Sequence, residues 1–208
     1  MENKHTGAPA QARSTADKLV KLALLAAISV ILALLIHFPI LPQLSFLEYD
    51  MADVPILIGT FLYGPFWGLL LTLVVSVIQG VTVSASSGII GIVMHFIATG
   101  GFVLVAGLIY RGKRRTLKYA IIALIAGALT MVALMVPLNY FISPMFIQSP
   151  EFPYKAAQST IWSMMWLFVA FNAIKAFGNA LITFLLYKAV GRVLKLQFVH
   201  PSSEKKKA

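Results

Sequence analysis

The decisive stretch is TFLYGPFWGL, residues 60–69, which lies inside an apolar tract covering residues 54–83. A helix that ran straight through Tyr63, Gly64 and Pro65 would make the tract one long segment. Glycine weakens a helix, and proline removes an amide donor and clashes with the turn before it, so the same residues also read as the joint between two helices. The surrounding composition says what such helices are for. The chain has 208 residues, 59% of them hydrophobic and only 12% charged, with a mean hydropathy of +0.86. That is more apolar surface than one soluble core of this size can hide, so the partner of most of the chain is a lipid bilayer. Apolar segments fall at residues 19–38, 54–63, 65–83, 88–110, 117–142 and 159–194. Four of them reach the roughly 20 helical residues that a hydrocarbon core of about 30 Å requires.

Charge chooses between one helix and two. Lysine and arginine collect on the cytoplasmic side of membrane proteins, and here they fall in three groups: Lys4, Arg13, Lys18 and Lys21; RGKRR at 111–115 with Lys118; and Lys188, Arg192, Lys195 and the run 205–207. A break at Gly64 and Pro65 gives six spans, places both termini inside, and brings all three groups to that side. Without it the 111–118 loop lies outside. The sequence therefore predicts an all-α integral membrane protein of six transmembrane helices, N-in and C-in. Its second span is short, and tilted, partly unwound or incompletely crossing; truncated backbone at membrane depth is tolerated beside a cavity. The outer loops, 43–53, 84–87 and 143–158, carry Glu48, Asp50, Asp53 and Glu151 against a single basic residue, Lys155. One membrane domain at 19–195 is expected between a polar tail at 1–18 and a basic tail at 196–208.

Several function classes drop out. Long apolar runs recur along the chain, so residues 22–38 are not a removable signal peptide before a soluble domain. The net charge of +10 sits in short loops and tails rather than on a folded basic face, so no nucleic acid is expected. With no cysteine there is no disulfide, thiolate nucleophile or cysteine metal site. His5, His37, His95 and His200 lack zinc-site spacing, so no metal is expected. GLIYRGKR, residues 107–114, matches seven positions of a phosphate-binding loop but has Arg114 where a hydroxyl should ligate magnesium. The serines of GVTVSASSG have no paired base, so no catalytic residue is assigned and the chain is not expected to be an enzyme. No fixed-period repeat divides the spans, which counts against an inverted-repeat transporter.

The last span holds the strongest functional signal. In FNAIKAFGNA, residues 171–180, Asn172, Lys175 and Asn179 are spaced three and then four apart, and on a helix they share one face. Lys175 lies 13 residues before Lys188, about 20 Å further out at about 1.5 Å per residue. An ammonium there costs at least about 2.5 kcal/mol unless it meets a carboxylate, carbonyls, water or a ligand. A structural partner such as Glu48 or Asp50 is one solution, and a ligand is the other. Asn139, behind Pro137, offers an amide that suits either a heterocycle edge or a neighbouring helix; Gln79 carries the same two readings. Phe46, Tyr49, Trp162 and Trp166 supply rings, the tryptophans reading as interfacial anchors. Asp53, just before Val54 and Pro55, reads as the N-cap of the second span. On the first span Ala23 and Ala27, continued loosely by Ser29 and Ala33, make a small-xxx-small pair that admits another helix backbone.

Taken together, FLEYDMADVPILIGTFLYGP (46–65), TVSASSGIIGIVMHFIATG (82–100) and FNAIKAFGNA resemble the riboflavin-specific S components of energy-coupling factor (ECF) transporters over nearly the whole chain. The resemblance implies a six-helix S-component fold without ATPase activity, in a bacterial cell membrane. It implies that the vitamin is captured outside and passed inward with a transmembrane T component and two ATPase subunits, riboflavin being the transported ligand and not a cofactor. Asn172 and Lys175, in the matching NxxK, would then hydrogen-bond the polar edge of the flavin, with Asn139 contributing. Leu47, Glu48 and Tyr49 match the loop covering the pocket, Gln79 is a further candidate, and Asp50 and Asp53 are expected less as contacts. The alanine pair Ala23 and Ala27 matches the one that docks the T component. An S component for another vitamin, and a self-sufficient channel or secondary transporter, are the alternatives; they separate by ligand and by uptake without ATPases.

Overall fold

The computed structural model describes residues 10–44, 47–112 and 116–198, with side chains left out at 10–14, 43, 86 and 190–198. The expectations attached to Phe46, to residues 113–115 of the basic loop and to the ends 1–9 and 199–208 lie outside the described residues, as do the side chains of Arg13, Arg192 and Lys195. The chain runs through α1 (Ala10–Leu35), β1 (His37–Pro39), β2 (Glu48–Asp50), α2 (Asp53–Tyr63), α3 (Pro65–Val81), α4 (Gly88–Gly112), α5 (Leu117–Ile142), α6 (Pro144–Ile147), α7 (Tyr154–Ser163) and α8 (Met165–Phe198), with single 3-10 turns at Pro42–Leu44 and Ala85–Ser87.

The helix does break at Gly64. Its φ of 98° is one that side-chain-bearing residues avoid. The Gly64 amide donates to the Thr60 carbonyl at 2.8 Å to close α2, and Pro65 opens α3, where its missing donor costs nothing. Four helical stretches, Thr15–Leu35, Gly88–Gly112, Leu117–Ile147 and Met165–Ala189, are long and apolar enough to cross a membrane, whereas α2 and α3 are shorter. Leucines, isoleucines, valines and phenylalanines including Leu35, Phe66, Val81, Ile89, Leu129 and Leu181 are exposed on the outside of the bundle, the pattern of a surface that faces lipid. The interior is packed from Leu57, Phe61, Val75, Phe102, Val103, Ala106, Ala123, Ala128 and Met131. Helices α4 and α5 approach so closely at Gly127 that a methyl group there would lie 2.3 Å from the Phe102 ring.

The structure amends the sequence reading in three places. The all-α expectation misses a two-stranded antiparallel hairpin, β1 with β2, in the register His37 to Asp50, Phe38 to Tyr49 and Pro39 to Glu48. It forms because the segment between α1 and α2 folds back on itself across a 3-10 turn. The segment expected at 159–194 is two helices, parted at Met164. No proline or glycine marks that break; packing sets it, since Tyr154 on α7 donates to the Phe141 carbonyl at 2.7 Å while Ile161, Met165 and Phe168 pack with Leu44 in a cluster of their own. On α1, Ala23 is exposed with Ala27, but Ser29 and Ala33 are fully buried, so they do not continue the alanine pair's face.

Candidate ligand-binding site

The hairpin end of the bundle gathers most of the polar side chains, and α8 organises them. Its stripe of Asn172, Lys175 and Asn179 is buried. Lys175 Nζ donates to Asp50 Oδ2 at 2.6 Å, with the two side chains only 10% and 14% exposed. Of the two structural partners the sequence allowed for the lysine, Asp50 is the one in place. Asp50 is itself fixed, because its Oδ1 accepts the Ala52 amide at 2.9 Å. One turn along α8, Asn179 ties three pieces together: its amide donates to the Asp50 carbonyl and to Asp53 Oδ2, each at 3.1 Å, and its oxygen accepts from the Tyr49 hydroxyl at 2.9 Å. The hairpin is thus latched to α8 by one ion pair and two hydrogen bonds. Burial pushes the Tyr49 hydroxyl above its ordinary value; Asp50 adds to that and Lys175 opposes it.

Asp53 is not the N-cap that its place before Val54 and Pro55 suggested. Ala52 occupies the cap position, without a side-chain cap, and Asp53 is the first residue of α2. Its fully buried carboxylate turns inward, accepting from Thr99 Oγ1 at 2.9 Å as well as from Asn179. Buried donors on α4 and α8 outcompete the helix's own first amides, which water or the preceding turn can serve.

Two neighbouring lobes that share part of a wall, one polar and one largely apolar, open between these elements. The larger, about 210 Å³, lies against the hairpin, α3 and α4 and is walled by His37, Glu48, Asp50, Ser76, Gln79 and Ser84 among others. The smaller, about 140 Å³, lies between α4, α5 and α8 against Leu47, Met94, Ala98, Met131, Met135 and Phe171, with Asn172 on its edge. Glu48, His95 and Lys175 belong to both. A hydrogen-bonding lobe thus meets an apolar one at a lysine whose ammonium has three donors and spends one on Asp50. Among the described residues no group of three or more histidines and carboxylates is arranged to hold a metal.

Five of the residues singled out from sequence come together on these walls: Leu47, Glu48, Gln79, Asn172 and Lys175. Tyr49 and Asn139 stand back from them. The Tyr49 ring packs on Phe38, 5.5 Å between centroids, and its hydroxyl is used by the latch. Asn139 is fully buried, donating to the Met135 carbonyl at 2.7 Å and accepting from Ser143 at 2.8 Å. Asn172 likewise donates to the Phe168 carbonyl of its own helix, which leaves its oxygen free to accept. Ala23 and Ala27 lie apart from the cavity, on an exposed face of α1. Sequence reasoning missed His95, which it weighed only as a zinc ligand, and the joining role of Asn179, though Asn179 was already on the stripe.

Comparison with known proteins identifies the family. The family model for the ECF transporter, substrate-specific component, matches residues 17–187. The riboflavin transporter RibU of Staphylococcus aureus (strain TCH60) is 30% identical over 179 residues, covering 86% of this chain and 92% of that one. The riboflavin transporter FmnP of Bacillus subtilis (strain 168) is 30% identical over 176 residues, covering 82% and 90%. Among solved structures, one described as "Structure and mechanism of the S component of a bacterial ECF transporter" superposes with a TM-score of 0.70 at 29% identity, over 87% of this chain and 99% of its own. The chain belongs to the family of substrate-specific components of ECF transporters.

Proposed function

We propose that this chain is the riboflavin-binding S component of an ECF-type uptake transporter in the bacterial plasma membrane. The observation that carries the reading is the pair of neighbouring lobes, one polar and one apolar, that share Lys175 on their walls. Riboflavin is a flat, largely apolar ring bearing a polar edge and a polyhydroxyl chain. The methionine and phenylalanine walls of the smaller lobe suit the ring, with the Asn172 oxygen and the two remaining Lys175 donors available to its polar edge. Glu48, Gln79, Ser76 and Ser84 in the larger lobe suit the ribityl hydroxyls. A mostly apolar pocket with few placed polar groups is how proteins hold such ligands. Relatives that share most of the chain are named riboflavin transporters, which supports the choice of vitamin.

In this reading residues 19–195 form one six-span domain, N-in and C-in, with the hairpin end outside; α2 and α3 count as separate spans, and the basic groups then share the inner side. The chain binds and carries but does no chemistry. A T component and two ATPase subunits supply the work, the T component docking on α1 at Ala23 and Ala27, where small side chains let a second helix come close. The core below the cavity favours release by reorienting the whole subunit over passage through it, since Leu57, Phe61, Phe102 and Val103 are packed at 4% exposure or less. Parting them would expose side chains worth about 1.5–3 kcal/mol each.

The test is the absorbance spectrum of the protein purified in mild detergent, followed by riboflavin titration with flavin fluorescence as the readout. Yellow protein, or saturable quenching that weakens in Lys175→Ala, is the expected result. Absence of any flavin binding by the wild type overturns the choice of vitamin.

A further inference from the structure

We propose that a groove between α5 and α8, on the outside of the bundle, holds one acyl chain of an anionic phospholipid whose phosphate is taken by Lys118 and Lys188. The groove measures about 250 Å³, larger than either lobe of the ligand site, and only hydrocarbon side chains line it. Leu124 and Ala180 are buried along it, while Ile121, Ile125 and Phe177 are exposed beside them. Ala180 makes the space, since it stands on α8 between Phe177 and Phe184 and offers a single methyl group where they offer rings. Walls without a polar group do not suit a flavin edge or a sugar. A hydrocarbon chain needs none.

Helical register leads from the groove to the two lysines. Val132 and Met135 of α5 border one cleft with Met165 and Phe168 of α8, and Ile121 and Ile125 border the groove with Phe177 and Phe184. The two helices therefore run antiparallel. On α5, Lys118, Ile121 and Ile125 are spaced three and then four apart, and on α8 Phe177, Phe184 and Lys188 are spaced seven and then four apart. Each set shares one face of its helix. Lys118 and Lys188 stand one residue from the ends of the apolar stretches Leu117–Ile147 and Met165–Ala189, at the same membrane surface and about 5–6 Å beyond the groove at about 1.5 Å per residue. Both are exposed, and neither has an ion pair among the described residues. Their long side chains carry the ammonium groups to the headgroup plane. A phospholipid has its parts in this same order, a phosphate at the surface and a chain leading inward, and an anionic headgroup complements the two charges. The alanine pair assigned above to the T component is on α1, which packs on α2 and α3, and the groove is on other helices.

Native mass spectrometry of the full chain released from detergent tests this, with phosphatidylglycerol or phosphatidylcholine of the same acyl chains added. The wild type should retain one phosphatidylglycerol about 30-fold more tightly than phosphatidylcholine, the effect of two lysines at an anionic headgroup. Lys118→Gln with Lys188→Gln should abolish that preference. Lys21→Gln with Lys155→Gln, which removes the same charge from exposed positions away from the groove, should keep it. Ala180→Phe, which fills the groove, should weaken both lipids about tenfold, as the loss of contact with about two methylenes does. A wild type that retains the two lipids equally overturns the proposal, and that comparison needs no variant to fold. So does equal loss of the preference in the Lys21 and Lys155 variant, which makes it an effect of bulk charge. If Ala180→Phe loses the T component on co-purification while its lipid binding is unchanged, the groove belongs to that partner and the lipid is overturned as its occupant.

Discussion

Replacing Lys175 by methionine separates two jobs that the residue does at once. The ammonium neutralises Asp50 across 2.6 Å, between side chains 10% and 14% exposed, and it offers its remaining donors to the cavity. Removing one member of a buried pair typically costs about 3–5 kcal/mol because the other is left charged and unpaired. Asp50 keeps the Ala52 amide and borders a cavity that water can enter, so the low end applies, about 3 kcal/mol. Asp50→Asn should cost less, since an amide oxygen still accepts from the ammonium. The double substitution Lys175→Met with Asp50→Asn leaves no stranded charge and should regain about 2 kcal/mol of the loss, a coupling of the size expected between contacting residues. Thermal stability in detergent, followed by size-exclusion recovery after heating, measures this cycle. Riboflavin affinity should behave differently. A hydrogen bond from a charged donor contributes about 1.5–3 kcal/mol, so Lys175→Met should bind about 10- to 150-fold more weakly, and the double variant should stay weak while its stability returns. If affinity returns along with stability, the lysine serves only to neutralise Asp50 and the ligand role is refuted; if the stability losses simply add, the pair itself is refuted.

Three further outcomes follow from other parts of the structure. Ala27→Trp, on an exposed face of α1 away from the cavity, should bind riboflavin as the wild type does and fail to co-purify with the T component. Because the folded state holds the Tyr49 proton more tightly than the ordinary value near 10, the latch's contribution is fully present below about pH 10 and is lost as pH rises through the higher folded value. Heating scans from pH 9 upward should then show Tyr49→Phe less stable at the low end but less sensitive to the rise. Glu48, which has no ion pair among the described residues, faces the lobe assigned to the ribityl chain, where a terminal phosphate would bring about −1.5 to −2 charges. Glu48→Gln should therefore raise affinity for the phosphorylated vitamin relative to riboflavin about tenfold, the scale of a partly screened charge interaction over several ångströms, as competitive titration would show.

What the sequence disclosed divides by the range of the interactions that decide each feature. The joint at Gly64 and Pro65 was legible because a positive φ and a missing amide are properties of those two residues wherever the chain goes. The α8 stripe was legible for the same kind of reason, helical spacing alone putting Asn172, Lys175 and Asn179 on one face. Met164 carries no such local mark; the break between α7 and α8 is set by the Leu44 and Phe168 cluster and by a hydroxyl reaching back to Phe141, which no window of sequence contains. Asp53 shows how a local rule fails when a long-range alternative exists. Its position fits a cap, yet Thr99 and Asn179, 46 and 126 residues away in sequence, offer buried donors that a carboxylate in a closed site must take, because leaving them and it unpaired would cost more than an uncapped helix end. The same logic reaches Lys175. Sequence could say that a cation at that depth needs a partner, but choosing Asp50 over Glu48 depended on the hairpin register, which sets His37 opposite Asp50 and Pro39 opposite Glu48. Alternation along a strand separates neighbours by face, so Glu48 and Asp50 share a side with Tyr49 between them on the other. Of the two acids on that side, Asp50 is also held by Ala52 and stands beside α8, and the ammonium therefore meets Asp50 and leaves Glu48 to the cavity.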